Sequence, residues 1–171
     1  MTQGTKAASP EPWLRGTLAE VPAVPRAVLH ALELAGEDLH KWCAGLTDTQ
    51  LNARPAGIAS VAFHLRHIAR SLDRLLTYAE AAALTESQIA AINTEREAGA
   101  TSQELFAELD AALERSAVRV RTLGAGDLAA LRTVGKRQVP TTLGGLLVHV
   151  AEHTQRHVGQ AITTAKLVAA R

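Results

Sequence analysis

The sequence predicts an all-α protein, an antiparallel four-helix bundle threaded most simply up-down-up-down, with one or two short extra helices. Three observations carry this. Apolar residues recur at spacings of three and four through four long segments, as helices with one buried face require. Hydrophobic residues make up 47% of the chain but aromatics only 3%, so Leu, Ala, Val and Ile must build the core. That diet suits close-packed helices better than a β-sandwich. Short or moderate connections separate the segments, which favours antiparallel neighbours. The 171 residues suffice for one domain with a real core and are too few for two.

Residues 1–12, rich in Pro, Ser, Gly and Thr, read as a disordered N-terminal tail, and 13–171 as the helical domain. The first long helix is expected from about Val21 to Gly45, on Val28, Leu32, Ala35, Leu39, Trp42 and Leu46. Pro22 and Pro25 can sit only in or before its first turn. Asn52 to Gly57, with Pro55, reads as a loop. The second runs from about Ser60 to Ala82 on Val61, Leu65, Ile68, Leu72, Leu75, Leu76 and Ala79. Thr85 with Gln88 forms a capping-box pattern that opens a shorter helix ending near Gly99. Thr101 with Glu104 repeats it, and the third long helix follows through Leu105, Leu109, Leu113, Ser116, Val120 and Leu123 to Gly124 and Gly126. Thr133 to Val139 is polar, and Pro140, Thr141 and Thr142 mark a fresh start. The last helix runs from about Leu143 to Ala169. No strand is expected.

The formal net charge of +1, with both signs mixed throughout, shows no electrostatic footprint for nucleic acid or an anionic membrane. No stretch approaches the roughly 20 apolar residues of a membrane span, and MTQGTKAASPEP lacks the apolar region of a secretory signal. Cys43 is the single cysteine, which excludes an intrachain disulfide and suits a cytoplasmic location. It reads as a small core residue beside Trp42.

The histidines carry the chemistry. Seven occur, five of them in the second and last long helices. His149, His153 and His157 are spaced by four, so they stack along one side of a helix. An i,i+4 pair sets Cβ atoms about 5–6 Å apart, close enough for two imidazoles to converge on one ion. His157 falls inside the apolar stripe of Leu143, Val150, Thr154 and Ala161; His153 falls at its border with Gln160, and His149 further out. Neutral imidazole is the commonest side-chain ligand for Zn(II), Ni(II) and similar ions. Two histidines rarely hold a metal, so a third ligand is needed, and His64 and His67 in the second helix are the candidates. Spacing alone does not choose between them. A lone histidine at a core edge is more often a packing residue than a ligand; a pair facing more histidines on another helix shifts that balance.

Two other motif readings fail. His149, Glu152 and His153 fit H-x-x-E-H, but that architecture takes a further carboxylate ligand well downstream, and nothing acidic follows His153. Glu37 and His40 fit half of a di-iron bundle signature whose second half is absent.

Two motifs resemble the DinB/YfiT-like superfamily of bacterial four-helix-bundle proteins, over about Trp13 to Leu167. They are SVAFHLRHIARSLDRLLTYAE at Ser60 to Glu80 and LLVHVAEHTQRHVGQAI at Leu146 to Ile162. The second matches the family's closing pattern of two histidines four apart, then a small residue and often Gln. The resemblance implies one divalent ion, zinc or nickel, held by one histidine of the second helix and two of the fourth. In the family's first motif the ligand follows a helix-starting Ser by seven residues and precedes an aliphatic residue. Ser60, His67 and Ile68 fit, so the implied set is His67, His153 and His157, with His64 and His149 as neighbours held in reserve.

Three neutral ligands leave the ion its charge and an open position, the layout of a catalytic site. The resemblance implies a metal-dependent S-transferase acting on a small-molecule substrate with a low-molecular-weight thiol. A metal-dependent hydrolase is the alternative, with Glu152 or Tyr78 as acid or base. A non-catalytic metal-binding stress protein is the third reading; no DNA-reading helix supports a regulator. A homodimer is also expected from the family.

Overall fold

The chain, described over residues 9–170 in a computed structural model, folds into six α-helices and one β-hairpin. α1 (Ala23–Cys43) starts two residues late because Pro22 serves as its N-cap, and it buries Val28, Leu32, Ala35 and Leu39 as the stripe requires. Trp42 departs from that stripe. It is 40% exposed, the Lys166 ammonium lies over its ring, and Cys43 takes the core position. Burial pushes the Cys43 thiol up to about 11, so it is inert at neutral pH. The five-residue α2 (Asp48–Asn52) has a capping box from Thr47 and Gln50 but too few residues for a periodic signal.

α3 (Val61–Ala79) begins where Ser60 accepts a hydrogen bond from the Phe63 amide. The capping boxes read from Thr85 and Thr101 both form, opening α4 (Glu86–Thr94) and α5 (Ser102–Leu123). α4 ends at Thr94, short of the expected Gly99, and buries none of its own residues. It is a strap lying on the bundle.

α6 (Leu143–Ala169) closes the bundle. A hairpin of β1 (Leu131–Val134) and β2 (Val139–Thr142) precedes it, where no strand was expected. The strands are four residues long, and the half-buried positions of β1 hold Arg132 and Val134 while Leu131 is 80% and Val139 53% exposed, so the apolar residues give no period-2 signal. Pro140 pairs with Thr133 in this two-stranded ribbon, where each strand has a free edge that tolerates proline. Gly135 at φ +71° makes the turn. The Arg132 guanidinium ties the hairpin to the end of α3 by donating to the Ala79 carbonyl at 2.6 Å.

The bundle is as expected, but its threading is not up-down-up-down. Paired residues fix the directions. His67 meets His153 and His64 meets His157, so α3 and α6 are antiparallel. Arg70 meets Glu108 and Arg119 meets Glu80, so α3 and α5 run parallel. Gln155 reaches Ala31 and Lys166 reaches Trp42, so α1 and α6 are also parallel. His40 meets Asp110 and Arg121 meets Glu20, which sets α1 against α5. The order is up-down-down-up. It is possible because the 80–101 connection, strap included, returns the chain along the bundle. That crossover, not a tight turn, delivers α4 to the flank of α3.

Residues 1–8 of the expected tail lie outside the described residues. From there the chain is held: Pro12 is buried, and Arg15 bonds to the Pro10 carbonyl and to Glu33 and Glu37 on α1. No helix among the described residues is long and apolar enough to cross a membrane.

Candidate metal centre

The i,i+4 spacing on α6 sets the imidazoles of His153 and His157 side by side, with ring centroids 4.7 Å apart. Because α3 runs antiparallel to α6, His67 comes to the same place, its centroid 5.0 Å from His153 and 4.3 Å from His157. One ligand nitrogen from each of the three lies within 4.8 Å of the others. The His67 and His153 Nε2 atoms are 3.0 Å apart. Ligand nitrogens of a tetrahedral zinc site, each about 2.0–2.1 Å from the ion, stand roughly 3.3–3.4 Å apart. A small adjustment brings one spacing to the other.

Which nitrogen faces the centre follows from the other partner of each ring. His67 Nδ1 lies 2.7 Å from Glu95 Oε2. A carboxylate only accepts, so Nδ1 carries a hydrogen and Nε2 is the nitrogen turned toward His153. The other Glu95 oxygen accepts from Arg74 at 2.7 Å. Glu95 is 4% exposed, which makes Arg74–Glu95–His67 a covered chain of charge-assisted bonds. Burial pushes the Glu95 carboxyl up, but the bonds from His67 and Arg74 and the Arg74 charge outweigh it and hold the group below the usual carboxylate range. His157 Nδ1 lies 3.0 Å from His64 Nδ1; with His157 donating, its Nε2 is likewise free.

His64 is therefore buried behind His157 and stands outside the convergent trio. His149 is also outside, its ring 5.5 Å from His153 and its side chain 44% exposed beside Glu152 at 3.8 Å. The Glu152 side chain is 60% exposed. Glu37 and His40 point elsewhere: Glu37 pairs with Arg15 and His40 with Asp110.

Burial, reinforced by the charges of neighbouring histidines, lowers His153 and His157 to about 4. The same causes lower His64 to about 4. These rings are neutral at pH 7, the state a metal requires. Phe63 stacks on His67 at 5.2 Å and meets His64 edge-on at 5.1 Å, packing the rings in place. Three convergent imidazoles, two of them neutral and the third braced by a buried carboxylate, fit a divalent ion.

Two hollows flank the trio. One, of about 610 Å³, is lined by His64 and His157 together with Phe63, Arg96 and Arg156. The other, of about 230 Å³, takes in His67, His153, Tyr78 and Arg74. No carboxylate lines either among the described residues.

A helical bundle whose three histidines converge from antiparallel helices fits the class of metal-binding bundle proteins. Residues 31–161 match the DinB superfamily, most of the chain, and the protein belongs to that family. No curated protein matches the chain.

The sequence reading missed Glu95 and Arg74. Glu95 comes from the strap, where no period points to it. One local signal was available: an acid at a helix C-terminus opposes the helix dipole, and such a conflict is commonly compensated by a tertiary partner.

Proposed function

We propose that the protein is a metal-dependent S-transferase in which His67, His153 and His157 hold one zinc or nickel ion and a low-molecular-weight thiol is the cosubstrate. The observation that carries this is the convergence of three imidazoles, two of them kept neutral, beside a hollow large enough for a small molecule. A bound divalent ion supplies the positive charge that keeps a thiol deprotonated at neutral pH. The chain's own part is to present three lone pairs, to orient His67 through Glu95, and to cover one side of the rings with Phe63. The hollows contain no free carboxylate to act as a general base on water, which favours transfer to a thiol over hydrolysis. Glu95 is committed to two donors, and Tyr78 is the one phenol lining the smaller hollow.

The test begins with metal content. Wild type should hold one equivalent of zinc or nickel, and His67→Ala and His153→Ala should lose it; a fully loaded His67→Ala protein sinks the ligand set. Thiol conjugation to an electrophile that is accelerated only by the metallated protein supports transfer. Turnover with water alone makes the protein a hydrolase. Tight metal binding without turnover leaves it a metal-binding stress protein.

A further inference from the structure

The larger hollow has a charge that the metal centre does not require. Arg96 and Arg156 stand in its lining, and neither guanidinium donates a hydrogen bond or joins an ion pair among the described residues. Nearby arginines behave differently. Arg54 donates to the Arg96 carbonyl, Arg66 to the Glu97 carbonyl, Arg70 pairs with Glu108, and Arg74 pairs with Glu95. Arg96 lies over the Phe63 ring at 5.3 Å, a contact that pre-positions a guanidinium while leaving its edge available. Arg156 follows one residue before His157, and its charge is felt at both His153 and His157. The walls between these cations are apolar at Phe63 and Ile58, the latter 41% exposed, and offer neutral hydrogen-bonding groups at Gln160 and Thr163.

Two unneutralised guanidiniums around an apolar wall, with no acid among them, form a receptor for an organic anion. We infer that this hollow binds a small organic carboxylate, its acidic head between Arg96 and Arg156 and its apolar body against Phe63 and Ile58, so that the reacting end lies toward His157. This names the substrate class of the proposed transferase and rests on that reading for the role of the ion. Anion binding itself requires only the arginines and the wall. The second, smaller hollow on the His67 and His153 side leaves room for a separate cosubstrate.

The probe is 4-phenylbutyrate, titrated into isotopically labelled full-length protein and followed by amide chemical shifts, in metal-free and zinc-loaded forms. Its neutral comparator is 4-phenylbutanamide. Saturable shifts at Phe63 and Thr163 are expected in both forms. Binding should be weaker by about tenfold or more for the comparator and for the Arg96→Gln/Arg156→Gln double variant, because each loses charge-assisted bonds. Both arginines are exposed, so the variant should fold; its unchanged helical circular dichroism and zinc content check this. Equal binding of acid and amide overturns the inference. So does equal binding by the double variant, including the case where the carboxylate binds only with zinc and sits on the ion itself. If wild type takes up no zinc, the metal reading fails, yet the metal-free titration still decides the anion site.

Discussion

Glu95→Gln tests whether the buried carboxylate behind His67 tunes the metal centre or merely ties the strap to the bundle. The substitution preserves shape and volume. It removes the charge and leaves one amide oxygen to serve two donors, His67 Nδ1 and Arg74, each now 2.7 Å from its own carboxylate oxygen. Partners of this kind usually change metal affinity by about 10–100-fold, or about 1.4–2.8 kcal/mol at 1.4 kcal/mol per decade. The upper part of that range is expected here because the site is covered: Glu95 is 4% exposed, and the Arg74 side chain 12%. The assay is a zinc titration in competition with a chelator of known affinity. Glu108→Gln is the control, since it breaks the pair of a neighbouring α3 arginine, Arg70–Glu108, which joins α3 to α5 and touches no histidine. Zinc affinity should fall for Glu95→Gln and hold for Glu108→Gln, even if both lose some stability to urea. An unchanged zinc affinity in Glu95→Gln would refute the positioning role.

Two other predictions concern the fold. His153 and His157 are lowered to about 4 from an ordinary value near 6.5. Below pH 6.5 the unfolded chain therefore binds protons that the folded chain refuses. Their contribution to stability is whole above pH 6.5 and is lost as pH falls toward 4. The urea midpoint of metal-free protein should fall through that window, and the slope should flatten in His153→Gln/His157→Gln; an identical slope contradicts the burial argument. At the end of α5, a Cβ on Gly124 would lie 2.4 Å from Pro25 Cβ and 2.5 Å from its Cγ. The rigid ring cannot swing aside, so Gly124→Ala should cost about 1–3 kcal/mol in urea denaturation; a neutral result would mean that α1 shifts freely against α5.

The local elements were readable because their causes are local. An i,i+4 repeat places His153 and His157 on one side of α6 whatever that helix packs against, and Thr85 and Thr101 cap helices through bonds three residues long. The resemblance at Ser60 pointed to His67, and Ser60 is indeed the N-cap of α3. The hairpin escaped because its four-residue strands bury too little to leave a pattern. Trp42 misled because the spacing of three and four from Leu39 to Leu46 runs through it, whereas Cys43, one residue on, fills the position.

By itself, then, the sequence determined four amphipathic helices, their caps, and a histidine pair on the last of them, all properties of bonds and side chains within a few residues. Only the tertiary structure decided the order up-down-down-up, because helix direction depends on how far a connection travels and not on the periodicity of the helices it joins. It also decided that His67 meets the pair while His64 lies behind it, since the turn of α3 that faces α6 is set by packing along the whole interface. Glu95 reaches the site from 28 residues beyond His67 for the same reason: a crossover strap carries it there, and no local interaction announces where such a strap will lie.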